Sequence, residues 1–276
     1  MKVAAIQMVS ATTLDANLTS AGVLLREAAQ SGAELAVLPE YFCLLGNRDT
    51  DKLAIQESYG SGVIQQFLST HARELGLWIV GGTLPISIDG SAAGPGQRVS
   101  NTSLAYSPDG TCVARYDKIH LFRFDNGTER YDESRVLQRG SEPVSFELAS
   151  RAGHTWRVGM SICYDLRFPE LYRIYARAGA DLLLVPSAFT HTTGEAHWEV
   201  LLRARAIENQ AFVVASAQGG LHENGRRTWG HSMLVDPWGQ VMAQRPEGAG
   251  VVCEALSPAL LKDCRMKLPA LDHRVL

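Results

Sequence analysis

Three short segments of the chain occur twice, in the same order, and this repetition constrains the fold more than any other feature. KVAAIQM at 2–8 pairs with RVGMSIC at 157–163, GAELAVLPE at 32–40 with GADLLLVPS at 179–187, and SLAYSPDGTCVAR at 103–115 with SMLVDPWGQVMAQ at 232–244. Each match alone is weak, but a shared order across two halves marks one structural unit used twice. The intervening pieces agree. Residues 14–30 carry a helical pattern that stops at Gly32, and Pro169 opens a second helix with Leu171, Ile174, Tyr175 and Ala178 on one face and Gly179 as its stop. Pro108-Asp109-Gly110 and Pro237-Trp238-Gly239 are tight turns between alternating strands, so each half holds a hairpin beside its strand–helix–strand units. Two such halves each leave one apolar sheet face uncovered. Packing those faces together predicts an α/β fold, a four-layer α-β-β-α sandwich with an internal pseudo-twofold repeat. An ordinary doubly wound α/β sheet is the alternative that recurring strands leave open.

Composition narrows the function classes. With 276 residues, 46% of them hydrophobic, the chain can bury a large core, and a net charge of −3 without a basic tract makes nucleic acid and anionic membranes poor partners. The opening MKVAAIQMVS reads as a strand, not a signal peptide, and the apolar run from Leu182 through Val185 is far too short to span a bilayer. Five cysteines with no C-x-x-C pair argue against a disulfide framework and a structural zinc site, and suit a reducing cytoplasm. The Gly/Ser/Pro-rich stretch 87–100 reads as a surface loop. The charged stretch 123–142 is long enough to be a segment covering substrate.

The chemistry centres on Gly159-Met160-Ser161-Ile162-Cys163, a G-x-S-x-G elbow with Cys in the last place. Strand alternation puts Val158, Met160 and Ile162 on one face and Gly159, Ser161 and Cys163 on the other. Ser161 then lies within the sheet and is structural, because the elbow also needs a small last residue for its strained turn. Cys163 sits at the carboxyl end of the strand, where open α/β sheets place chemistry. A lone Cys is usually a small buried hydrophobe, the reading kept for Cys43, Cys112, Cys253 and Cys264. Cys163 needs a base. A cysteine peptidase would recruit His191, His197, His222 or His231, none of them in a recognisable local context. The matching strand of the other half delivers Glu40 just beyond Pro39, partly desolvated and so a usable base, unless it is merely a solvated strand-end carboxylate. Lys118 in RYDKIHLF ends a hairpin strand; alone it would read as a surface charge, but all three residues fall at strand ends and can meet on one rim.

The segments LPEYF, YDKIHLF, ICYDLRFPELYR and PSAF…TTGEAHWEVLLRARAIENQAFVVASAQGG together resemble the nitrilase (carbon–nitrogen hydrolase) superfamily, over nearly the whole chain. The resemblance implies one carbon–nitrogen hydrolase domain over 1–276, with catalytic Glu40, Lys118 and Cys163 and a supporting carboxylate at Glu133 in YDES. AHWEVLLRARAIENQ and GHSMLVDPWGQV look most like the nitrilase-like amidases. That branch implies a cysteine-dependent amidase working through a thioester, with release of ammonia, on a small carboxylate-bearing amide. Deaminated glutathione is the leading substrate and metabolite repair the setting; α-ketoglutaramate, or a carbamoyl compound, aliphatic amide or nitrile, is the alternative.

In that scheme Glu40 takes the thiol proton, Lys118 and the backbone N–H of Tyr164 hold the oxyanion, and Lys118 also favours the thiolate. Glu133 orients Lys118 or the bound amide. Arg167 either grips a substrate carboxylate or pairs with Asp165 or Glu170. Phe189 and Thr193 line the pocket, although Phe189 could equally be core, and His120 and His197 are structural hydrogen-bonders. No metal or organic cofactor is implied. Relatives are commonly homodimers or larger, and the C-terminal stretch LKDCRMKLPALDHRVL suits an arm across such an interface.

Overall fold

The computed structural model describes residues 1–88 and 98–275. The first half supplies strands β1 (Lys2–Gln7), β2 (Leu35–Val37), β3 (Trp78–Val80), β4 (Leu84–Ser87), β5 (Val99–Tyr106), β6 (Cys112–Asp117), β7 (Arg123–Asp125), β8 (Arg130–Asp132) and β9 (Leu137–Gln138), with helices α1 (Leu14–Gln30) and α2 (Val63–Leu75). The remainder supplies β10 (Ser145–Ala149), β11 (Thr155–Met160), β12 (Leu182–Leu184), β13 (Phe212–Ala215), β14 (Gly219–Leu221), β15 (Arg227–Trp229), β16 (Ser232–Val235), β17 (Val241–Arg245) and β18 (Gly250–Ala255). Its helices are α3 (Pro169–Arg177), α4 (His191–Asn209) and α5 (Pro258–Lys267). One sheet runs β18-β1-β2-β3-β5-β4, with β6 and β9 also on β5; the second runs β10-β11-β12-β13-β16-β17.

The repeat read from the sequence holds residue by residue. Val3, Ala4 and Ala5 pair in parallel with Leu35, Ala36 and Val37, and their counterparts Val158, Gly159 and Met160 pair with Leu182, Leu183 and Leu184. The two hairpins share a register and an irregularity, between Ala105 and Tyr106 in one and between Leu234 and Val235 in the other. Each half also lends its next strand to the other sheet. β10, which follows the first half, lies antiparallel on β11, and β18, which follows the second, lies antiparallel on β1.

Period-2 alternation then builds the layers. Val3, Ala5, Leu35, Val37 and Val80 point inward and share one core with Val158, Leu182, Leu184 and Val213 of the second sheet. Ala4, Ile6, Ala36, Leu38 and Ile79 point outward onto Leu24, Leu25 and Ala28 of α1 and Ile64 and Leu68 of α2. Each fully buried aliphatic side chain contributes about 1.5–3 kcal/mol, so both faces of the sheet are strongly committed. The α-β-β-α sandwich is the observed fold.

Three expectations change. The buried face of α3 is Leu171, Tyr172, Tyr175 and Ala176, while Ile174 is 47% exposed and Ala178 is exposed. Two phenols turn the helix: Tyr172 shares a 2.7 Å hydrogen bond with Ser161 Oγ, and Tyr175 donates to the Met160 carbonyl. The stretch 123–142 is not one loop; it holds the β7–β8 hairpin, a 3₁₀ turn at Glu133–Arg135 and β9. Of the stretch 87–100, Ser87 ends β4 and Val99 and Ser100 begin β5, and 89–97 lie outside the described residues. Within the chain itself, the C-terminal stretch is anchored as far as Leu268. Arg265 of α5 donates to Asp181 and to the carbonyls of Ala180 and Gln210, and Gln210 Nε2 reaches the Leu268 carbonyl at 2.5 Å.

Candidate active site

The chain bends sharply where both repeated strands end. After β11, Ser161 is held in the sheet, with Oγ donating to the Leu184 carbonyl at 2.7 Å, which confirms its structural role. The strained turn falls two residues later than the elbow pattern suggests. Cys163 itself has φ of +49°, while its N–H donates to the Pro186 carbonyl at 2.9 Å. A non-glycine residue in the left-handed region costs roughly 1–3 kcal/mol and persists where surrounding bonds enforce it, most often at functional sites. The enforcing group is Asp165. It is fully buried, and its carboxylate accepts from Ile162 N–H, Tyr116 OH and both the N–H and ring Nδ1 of His120. Tyr116, Lys118 and His120 are two residues apart, so tying the outer two to Asp165 fixes Lys118 beside the Cys163 turn.

After β2, Leu38, Pro39 and Glu40 continue to a second left-handed residue, Tyr41 (φ +57°), whose N–H donates to Thr83 Oγ1. Gly82, at φ +47°, backs this bend so closely that a Cβ there would lie 2.0 Å from the Pro39 carbonyl oxygen.

Glu40, Lys118, Glu133 and Cys163 converge. Glu40 is 1% exposed; its Oε1 accepts from Lys118 Nζ and Asn101 Nδ2, each at 2.9 Å, and its Oε2 from the Ala188 N–H at 3.0 Å. Lys118 is fully buried and also donates to Glu133 at 3.0 and 2.8 Å. Glu133 accepts in addition from Tyr41 OH and the Phe122 N–H. Burial by itself would depress the Lys118 ammonium, but the carboxylates of Glu133 and Glu40 outweigh it and hold its pKa well above the ordinary value. Burial likewise opposes ionisation of Glu133, and Lys118 reverses this, keeping Glu133 below the usual carboxylate range.

The Cys163 thiol behaves in the opposite way. Burial first, then the adjacent Glu40 carboxylate, push its pKa well up, and the pull of Lys118 toward the thiolate is outweighed. Lys118 does favour the thiolate by proximity, but not enough to set the resting state, which is a thiol beside a carboxylate able to take its proton. Alkylation by iodoacetamide is therefore expected to keep accelerating above pH 9 and to shift to lower pH in Glu40→Gln, where Lys118 faces the thiol unopposed. A plateau near neutrality in the parent enzyme is the contrary result.

A cavity of about 210 Å³ opens onto this thiol, lined by Phe122, Cys163, Tyr164, Arg167, Phe189 and Thr193, together with Ala188 and Thr190. Every pocket residue expected from the sequence is on its wall. Phe189 serves both readings: it is 5% exposed, packed on Trp198 and also facing the cavity. Arg167 pairs with neither Asp165 nor Glu170. Its guanidinium lies over the Tyr164 and Phe189 rings and meets His197 Nδ1 at 3.2 Å. His197 thus holds a pocket residue from outside the cavity lining, while His120 is structural, stacked on Phe168. Tyr164 is the second residue of the 3₁₀ turn Cys163–Arg167, where a first-turn N–H has no intrahelical acceptor.

None of the four candidate histidine bases is hydrogen-bonded to Cys163. His222 is bonded to the Ser10 carbonyl and Thr228, His231 to Gln244, His197 to Arg167, and His191 packs on Trp229. Sequence reasoning missed Asn101, Tyr41 and Asp165, together with the backbone donors of Ala188 and Phe122. Among the described residues no group of three or more His, Cys, Asp or Glu could hold a metal, and no helix is long and apolar enough to cross a membrane.

Residues 2–266 match the family model described as carbon-nitrogen hydrolase. A Synechocystis protein named deaminated glutathione amidase is 41% identical over 274 residues, covering 99% of this chain and 97% of its own. A human protein of that name is 39% identical over 274 residues, covering 99% and 81%. Among solved structures, a Saccharomyces cerevisiae member of branch 10 of the nitrilase superfamily superposes with a TM-score of 0.85 at 30% identity, covering 100% of this chain and 97% of the other. Sequence, fold and site geometry agree, and the chain belongs to the carbon–nitrogen hydrolase family.

Proposed function

We propose that the protein is a cysteine-dependent amidase whose substrate is deaminated glutathione and whose single catalytic domain spans 1–276. The observation that supports this most is the buried Glu40–Lys118–Glu133 chain beside a strained Cys163, opening on a cavity edged by an arginine with no carboxylate partner among the described residues. The names of the relatives supply the substrate.

Glu40 removes the thiol proton as Cys163 Sγ bonds to the amide carbon, and the oxyanion is held by the Lys118 charge and the Tyr164 N–H, about 3 kcal/mol for such a donor. Glu40 passes its proton to the departing nitrogen as the C–N bond breaks. Water, losing a proton to Glu40, then adds to the thioester; the C–S bond breaks and the sulfur recovers the proton. Glu133 positions Lys118. Arg167 grips the acyl-side carboxylate, with Phe189 and Thr193 flanking it.

The leaving group separates the substrate readings. The expected release of ammonia does not apply to deaminated glutathione, which carries no primary amide; cleavage beside its oxo-acyl unit liberates cysteinylglycine. Ammonia leaves only from a primary amide such as α-ketoglutaramate. Incubation with each compound should give cysteinylglycine from the first at a kcat/KM at least about tenfold above ammonia release from the second, a difference of 1.4 kcal/mol. The reverse ranking would keep the mechanism and replace the substrate. Five unpaired cysteines support a cytoplasmic site of action, where such a hydrolase would clear a deaminated side product. A second copy of the chain is the proposed partner. Val200 and Ile207, seven residues apart on α4, and Trp238 beside them leave large apolar side chains exposed, and sedimentation of the protein decides the point.

A further inference from the structure

Two cations near the catalytic cluster line one cavity without an ion-pair partner among the described residues. Lys52 lies with Nζ 4.6 Å from the centre of the Tyr41 ring, and the Arg226 guanidinium lies 5.1 Å from the centre of the Tyr131 ring. Neither forms an ion pair among the described residues, and both line one open depression. Arg48, a third cation on its wall, is already paired with Asp51 at 3.2 Å. Asp49 is the carboxylate on that wall; it is exposed and makes no ion pair with Lys52 within 4 Å. Unpaired, half-buried cations at close quarters are costly unless an anion joins them. Burial depresses the Lys52 ammonium and Arg226 depresses it further, against the opposing pull of Glu133, Asp49 and Glu40.

Two chains of side-chain contact link the lining of this second cavity to the catalytic cluster and the thiol pocket. Tyr41, whose ring carries Lys52, donates its hydroxyl to Glu133 at 2.8 Å. Tyr131, under Arg226, packs on Phe122 at 5.8 Å, and Phe122 packs on Tyr164 at 5.2 Å, at the pocket wall. The β7–β8 hairpin therefore forms one aromatic wall from Arg226 to Cys163, and Glu129 at its turn accepts from Thr192 of α4.

We propose that Lys52 and Arg226 form a carboxylate subsite for the leaving-group side of the substrate, holding the terminal carboxylate of the departing dipeptide while Arg167 holds the acyl side. The inference rests on the proposed function above. Two extended residues span about 7 Å, which sets the reach from the scissile nitrogen to that carboxylate. The subsite adds affinity only for amides whose leaving group ends in an anion, so it separates such substrates from simple primary amides.

The test compares deaminated glutathione with the same compound bearing a C-terminal methylamide. In the parent enzyme the free acid should show a KM roughly tenfold or more below that of the methylamide, as expected for hydrogen bonds to a charged group. Lys52→Met and Arg226→Gln should each shrink that ratio toward one, while Lys52→Arg retains it. Structural damage alters both substrates together and leaves the ratio intact, so an unchanged ratio in both variants overturns the subsite. Parent enzyme that hydrolyses both compounds without preference also overturns it, leaving the proposed function in place. Parent enzyme that hydrolyses neither overturns both.

Discussion

Cys163→Ala should lower kcat/KM by at least about 10⁴-fold, because removing the proposed nucleophile of a covalent mechanism removes the whole reaction path and not one contact within it. The remaining site explains why nothing else substitutes. Three of the four candidate histidines are hydrogen-bonded elsewhere and the fourth, His191, packs on Trp229, while Glu40, the carboxylate beside the thiol, is already held by Lys118, Asn101 and the Ala188 N–H. Substrate affinity should survive, since Arg167, Phe189 and Thr193 are untouched by the change. The measurement is a single-turnover assay beside a binding titration. An alanine variant within 100-fold of the parent would show that the sulfur is not the attacking atom.

Lys118→Met should abolish activity and also destabilise the fold by about 3–5 kcal/mol, the cost of leaving buried charge without its partner. The carboxylates of Glu40 and Glu133 would then face each other across the vacated position, 1% and 13% exposed. Pairing the change with Glu133→Gln removes one of those charges, so the double variant should regain much of the stability and none of the activity. Thermal unfolding at several pH values adds a second check. Glu133 is depressed in the folded state, so its contribution is present above the unfolded carboxylate pKa of about 4.3 and is lost as pH falls through the folded value. Lys118 is raised, so its contribution is complete below about 10.4 and is lost as pH rises through the folded value. The parent should hold a plateau between those flanks, and the double variant should lose the cluster's part of both slopes. Equal stability of Lys118→Met and parent would mean that the carboxylates take up protons or water at little cost.

Where the sequence carried a period, it was legible. The repeated segments gave the two-fold plan and the layer order, and the strand pairing then repeats residue by residue because parallel strands of one length joined by similar connections leave few other registers. The meeting of Glu40, Lys118 and Cys163 was legible because each lies at or just beyond the end of a strand. The rest of the site was not, for physical reasons. Ala188 and Phe122 act through backbone N–H groups that any residue type carries, and Asn101 lies mid-strand among ordinary β residues. Asp165 looked like a partner for nearby Arg167, but the sheet brings Tyr116 and His120 to it first. The face of α3 was misjudged because aliphatic Ile174 counts as more hydrophobic than tyrosine, whereas the phenols of Tyr172 and Tyr175 each complete a bond to the sheet.

The mutual loan of β10 and β18 has a consequence for how the polypeptide leaves the ribosome. β1 is made first, yet its outer neighbour is β18, and the pair is closed by Met1 and Leu256 exchanging hydrogen bonds across nearly the full length of the chain. Until the last strand emerges, the first sheet keeps an open edge of unpaired N–H and C=O groups, the kind of edge on which stray strands add. The nascent first half is therefore a client for protection and not a finished module, and a translation product cut short before residue 250 would be left with that edge exposed.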